Sequence, residues 1–174
     1  MRWDEIDSQV CSVARSLSIV GDRWTLLILR DCFLGVRRFD ALQLSLGIPR
    51  HRLSDRLSKL VEHGVLRKEL YQDKPPRYEY RLTEKGLDLY PVLLGLARWG
   101  DKWEADADGA PVEYVHINCG HVMTPTLVCD HCDQTIDARS VKPRIGPGLK
   151  QKFERGEATG FSADDLPPVL AKTR

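Results

Sequence analysis

Two apolar stripes of helical spacing, Phe39-Leu42-Leu46 and Leu53-Leu57-Leu60-Val61, are held apart by the break Gly47-Ile48-Pro49. Glycine ends helices and proline suits a helix start, where its missing N–H costs nothing, so the spacing predicts two helices joined by a sharp turn. Helix, glycine-containing turn, helix is the helix-turn-helix arrangement, whose second helix enters the DNA major groove. Gly64 is placed to end that second helix.

The polar residues beside the second stripe agree with such a role. Arg50, His51, Arg52, Ser54, Asp55, Arg56 and Lys59 lie off the apolar stripe or at its N-terminal edge, where side chains reach base edges and phosphates. Arginine can grip the O6 and N7 edge of guanine with two hydrogen bonds, worth about 1–3 kcal/mol of discrimination per good pair. Arg37 and Arg38 precede the first helix of the pair and suit phosphate contacts. Net charge is only +1 over 174 residues, yet the segment from Arg37 to Arg77 holds ten Lys or Arg against five Asp or Glu. A basic patch of this kind, rather than the total, is what a polyanion meets.

Upstream, Cys11 to Ile19 and Asp22 to Phe33 read as two helices, with Asp22 an N-cap and WTLLILRDCFL apolar nearly all round, as in a central buried helix. Downstream, VLRKELYQ and RYEYRLT alternate apolar and polar residues around DKPP, which predicts a hairpin with a proline-stiffened tip. Lys74 and Arg77 flank the two prolines and suit a minor-groove or backbone contact. A last long helix opens at Thr83-Glu84-Lys85-Gly86 and runs toward Trp103, with a kink or restart expected at Pro91.

The fold class expected is therefore mainly α with a small β-hairpin wing (α+β), a winged helix-turn-helix carrying a small β-rich C-terminal appendage. Three regions follow: 1–103 as the DNA-binding helix-turn-helix region, 104–142 as a zinc-ribbon-like hairpin after the acidic linker EADADGAP, and 143–174 as a loosely structured tail with one short helix.

CSVARSLSIVGDRWTLLILRDCFLGVRRFDAL, GIPRHRLSDRLSKLVEHGVLRKE, PPRYEYRLTEKGLDL and the tryptophan of ARWGDKW resemble the HxlR family of bacterial winged helix-turn-helix transcription regulators, with a MarR-like fold, over roughly Cys11 to Trp103. The resemblance implies a symmetric homodimer, built from the N-terminal and last long helices and binding two half-sites of an inverted-repeat operator about one DNA turn, ~34–36 Å, apart. It also implies repression, since blocking of promoters is common in the family. Cys11 matches the N-terminal cysteine that serves some members as a thiol switch, and a helix N-terminus favours the reactive thiolate. The alternative is that Cys11 is a small buried residue, as free cysteines usually are. A small-molecule or oxidant effector is the corresponding partner.

The appendage departs from the family pattern. His116-x-x-Cys119-Gly-His121 and Cys129-x-x-Cys132 supply two ligand pairs that a hairpin can bring together as a tetrahedral zinc site. Cys119, Cys129 and Cys132 are the firm candidates; His116 is favoured over His121 as the fourth because its two-residue gap is the commoner one. One structural zinc per chain is the expectation, against a metal-free hairpin with reduced thiols.

MRWDEIDSQV lacks the apolar core of a signal peptide, no apolar run reaches the ~18 residues of a membrane span, and five cysteines make an odd count that argues for reduced thiols. A cytoplasmic chain with no membrane partner is expected. No nucleophile–base pair, phosphate-binding glycine loop or open metal site argues for an enzyme. The reading is thus a regulator of double-stranded DNA, with a zinc-ribbon interaction module that uses the winged helix as a protein-docking platform as the alternative.

Overall fold

Asp22 caps the helix that follows it, its Oδ1 accepting from the N–H groups of Trp24 at 3.0 Å and Thr25 at 3.3 Å. The computed structural model describes residue 6 and residues 10–157. Within them α1 (Ser12–Val20) precedes α2 (Arg23–Phe33), α3 (Phe39–Leu46) and α4 (Arg50–Glu62). The chain divides into two compact units, residues 19–125 and a second made of residues up to 18 with those from 126 onward.

In the 19–125 unit the apolar stripes do what their spacing predicts. Leu42 of α3, Ile48 of the turn, and Leu53, Leu57 and Leu60 of α4 join Val20, Ile28, Leu29, Cys32, Val65 and Leu66 in one buried cluster. Each such leucine contributes roughly 1.5–3 kcal/mol by leaving water. The turn between α3 and α4 is anchored by Ile48, only 2% exposed. Pro49 sits one residue before α4 rather than inside it, its carbonyl accepting from the Leu53 N–H. At the other end Gly64 adopts φ +67°, its N–H bonds to the Val61 carbonyl, and that of Val65 bonds to the Leu60 carbonyl. This is a Schellman closure, for which a residue without Cβ is suited, sealed by the buried pair Val65 and Leu60.

One residue of α2 departs from the apolar reading. Asp31 is 1% exposed; its Oδ1 accepts from Nε and Nη2 of Arg30, and its Oδ2 has no partner among the described residues. The helix is therefore buried through Thr25, Ile28, Leu29, Asp31 and Cys32, with Arg30 exposed beside them.

The hairpin forms as β1 (Leu66–Gln72) and β2 (Arg77–Leu82), antiparallel, with Leu66 opposite Leu82, Lys68 opposite Tyr80 and Leu70 opposite Tyr78. A register irregularity between Leu70 and Gln72 leaves Tyr71 as the additional residue. Arg38 pairs with Glu79 as a short third segment, fixed by the Tyr80 N–H to the Arg37 carbonyl at 2.8 Å. Arg67 and Arg81, directly opposed, would repel each other. Glu69 bonds both, at 2.6 Å and 2.8 Å, and Glu79 bonds Arg81 at 2.6 Å.

The last helix restarts at Pro91 as expected: α5 (Glu84–Leu87) is capped by the Thr83 hydroxyl, and α6 (Tyr90–Trp103) has the proline in its first turn. Gly86 of α5 is buried, and a Cβ built there meets the backbone carbonyl of Val65 within van der Waals contact, where nothing flexible can give way. Gly86→Ala is expected to cost roughly 1–3 kcal/mol through overpacking, seen as a lower midpoint in urea with an unchanged slope. Along α6, Val92, Leu96, Trp99 and Trp103 are all exposed and recur at spacings of four, three and four, forming one apolar stripe. Two short strands, β3 (Tyr114–Val115) and β4 (Val122–Met123), complete this unit.

In the second unit Val128 and Thr135 form a single antiparallel bridge, and α7 (Pro147–Glu154) is the short helix of the tail. The rest of that tail, 158–174, lies outside the described residues. No helix among the described residues is long and apolar enough to cross a membrane.

Candidate nucleic-acid interface

Burying Leu53, Leu57 and Leu60 turns the opposite face of α4 outward. His51, Arg52, Ser54 and Lys59 are exposed, and their side chains have no hydrogen-bond or ion-pair partner among the described residues. Arg50 is exposed at the first turn, bonded to Asp40 Oδ1 at 3.3 Å and lying over the Phe39 ring.

Arg56 is placed differently from its neighbours. It is only part-exposed, and its Nε lies 3.3 Å from Asp22 Oδ1 as an ion pair without hydrogen-bond geometry. It therefore ties α4 to the capped start of α2. With both side chains about 30% exposed, solvent screens the pair, so Arg56→Ala is expected to cost about 0.5–1 kcal/mol of stability. A chemical melt showing no destabilisation would instead free Arg56 for the outward face.

Around the hairpin the cations sort into used and available. Arg67 and Arg81 are neutralised by Glu69 and Glu79. Arg37, exposed, lines a cavity of about 260 Å³ with Arg67, Tyr80 and Arg81. Arg38 lies over the Tyr71 ring at 4.4 Å. Lys74 and Arg77 are exposed at the tip, where the Gln72 side-chain amide donates to the carbonyls of Lys74 and Pro75. Lys68, absent from the sequence-based set, stands 4.1 Å from the Tyr78 ring centroid. Alternation places it on the face of Leu66 and Leu70, the apolar face of β1, whereas Arg67 shares the opposite face with Glu69, which pairs with it.

The sequence model of the HxlR-like helix-turn-helix family matches residues 19–108, more than half of the chain. The chain belongs to the HxlR-like helix-turn-helix family. An HTH-type transcriptional regulator of Mycobacterium tuberculosis is 50% identical over 142 residues, 82% of this chain and 90% of that one. The crystal structure of PA1607, a proposed transcription factor, superposes with a TM-score of 0.70 at 34% identity over 79% of this chain and 96% of its own. PA1374 of Pseudomonas aeruginosa, another proposed transcription factor, gives 0.58 at 34% identity over 82% and 99%. This HxlR-like chain is a transcriptional regulator with a helix-turn-helix DNA-binding domain, and the docking-platform alternative is not favoured.

The cysteines of this HxlR-like regulator fall into three environments. Cys32 is buried, and burial beside Asp31 pushes its thiol up to about 12, so it remains a protonated core residue. Cys11 is exposed immediately before α1, its carbonyl accepting from the Arg15 N–H. His116 and Cys119 share a turn, Nδ1 to Sγ 3.3 Å, while His121 pairs through its carbonyl with the His116 N–H. Cys129 receives the backbone N–H groups of His131 and Cys132 on its sulfur, which hold its thiol below the ordinary range. Among the described residues, no three His, Cys, Asp or Glu side chains are grouped so as to hold a metal ion.

Proposed function

We propose that the protein is a homodimeric repressor that reads an inverted-repeat operator with α4, the wing following the flanking backbone. The observation that carries this reading is the division of α4 into a wholly buried leucine face and an outward face whose His51, Arg52 and Lys59 side chains have no partner among the described residues. Unpartnered cations on a helix seated by its opposite face suit base edges and phosphates, while Arg38, Lys74 and Arg77 suit backbone positioning. The stripe Val92, Leu96, Trp99 and Trp103 supports a second copy as partner, because four large apolar residues, each at least half exposed, are gathered on one helix face.

Fluorescence anisotropy with a duplex from upstream of the protein's own gene, against a scrambled duplex, tests the whole reading. Expected is selective binding of two chains per duplex that persists at ~150 mM salt. Equal, weak binding to both duplexes that disappears with salt would overturn sequence reading. Repression adds the expectation that a promoter overlapping the site is silenced. Oxidant control through the exposed Cys11 adds that a peroxide-treated protein loses the operator and that a Cys11→Ser variant does not.

The reading extends to one structural zinc on His116, Cys119, Cys129 and Cys132. What supports it is the ligand spacing in the sequence and, within the first pair, the approach of His116 Nδ1 to Cys119 Sγ at 3.3 Å. Elemental analysis of protein purified without chelator is expected to find about one zinc per chain. Zinc-free protein of unchanged melting temperature would leave these residues as plain turns.

A further inference from the structure

Three cations at or near the recognition helix are each held over an aromatic ring. Arg38 lies 4.4 Å from the Tyr71 centroid, Arg50 4.6 Å from Phe39, and Lys68 4.1 Å from Tyr78. The rings come from different places: Phe39 opens α3, Tyr71 is the extra residue of β1, and Tyr78 lies in β2. Phe39 packs against the core, whereas Tyr71 and Tyr78 are 37% and 40% exposed. Burial therefore does not account for two large aromatic residues on the wing. A cation over each face does.

We propose that Phe39, Tyr71 and Tyr78 are positioning residues that hold Arg38, Arg50 and Lys68 ready for the phosphates of duplex DNA. The inference rests on the DNA-binding reading and adds residues that do not themselves touch nucleic acid. The negative face of an aromatic ring attracts a cation, and a guanidinium stacked on a ring keeps N–H groups free to donate. A long free side chain must lose rotamer freedom when a phosphate fixes it; one already held over a ring loses less, and that difference appears as affinity. Arg50 has a second restraint in Asp40. Arg38 and Lys68 have no polar side-chain partner among the described residues, so their rings are the restraint.

The bulge gives Tyr71 its place. A regular ladder would put residue 71 opposite a β2 partner; the irregularity between Leu70 and Gln72 releases it, while the Arg38–Glu79 bridge brings Arg38 alongside the hairpin. Phosphate contacts do not depend on base sequence, so this device acts on any duplex.

The test uses the full chain and a labelled duplex of about 30 base pairs, titrated over a range of salt. Tyr71→Leu is expected to bind three- to tenfold more weakly with an unchanged salt slope, about the effect of losing prior restraint but not the contact itself. Tyr71→Phe, which keeps the ring face, is expected to bind as the parent does. Arg38→Ala is expected to lose affinity and to flatten the slope of log K against log salt by about 0.9, the release of one phosphate's counterion. In the Arg38→Ala background, Tyr71→Leu should have no further effect. Parent affinity in Tyr71→Leu, or an undiminished loss in the double variant, would overturn the positioning role while leaving DNA binding intact. A parent chain that ignores duplex DNA altogether would instead end the DNA-binding reading and this inference with it. Unchanged melting of the exposed-site variant Tyr71→Leu separates these outcomes from misfolding.

Discussion

Arg52→Ala is expected to weaken operator binding by about five- to 150-fold, corresponding to one bidentate base contact of roughly 1–3 kcal/mol. Its melting temperature should be unchanged. Arg52 is exposed on the first turn of α4, directly before the buried Leu53, and has no protein partner among the described residues whose loss would be felt in the fold. Selectivity should fall more than general affinity, because a base contact is specific where a phosphate contact is not. Anisotropy on native and scrambled duplexes, alongside a thermal melt, checks both halves. Undiminished selectivity would remove Arg52 from the reading face, and a fall in melting temperature would reassign it to packing.

Leu57→Ala, on the other side of the same helix, is expected to do the reverse. Leu57 is 0% exposed, in a cluster with Leu53, Leu60 and residues of α2 and α3. Truncation removes buried methyl groups and leaves a cavity that close-packed neighbours fill only in part, at a cost of about 2–5 kcal/mol. In a chain of this size each kcal/mol lowers the melting midpoint by roughly 2–4 °C. Operator affinity measured well below the midpoint should survive, since the outward side chains are untouched. A melt indistinguishable from the parent would mean that α4 is not seated by its leucine face. Together the two variants ask whether one helix divides its work between faces as its periodicity indicates.

Periodicity and end signals were enough to place that helix. The break Gly47-Ile48-Pro49, the Asp22 cap, the Gly64 terminus and the restart at Pro91 all depend on interactions within a few residues, so they can be read in order along the chain. Two strands around DKPP were legible for the same reason, as was the outward placing of His51, Arg52, Ser54 and Lys59. The family assignment drew on those same local blocks.

What lay beyond reach were the meetings of residues distant in sequence. Nothing in the pattern of α4 distinguishes Arg56 from Arg52; the distinction is that Asp22, thirty-four positions earlier, comes to 3.3 Å. Asp31 is buried in a helix read as apolar nearly all round, and its tolerance depends on how Arg30 folds back onto it. Nothing near Gly86 in the sequence shows that the Val65 carbonyl excludes a side chain there. For Lys68 the alternation of β1 shows which face it takes but not whether a carboxylate or a ring waits on that face.

By itself, then, the sequence determined where helices and strands begin and end and which helix faces turn inward, because hydrophobic period and capping act over one or two turns. Only the tertiary structure decided which charges are spent within the protein and which remain for a partner. Ion pairs, ring contacts and steric exclusion are set by through-space distance, and chain closure brings together residues whose separation along the sequence carries no information about that distance.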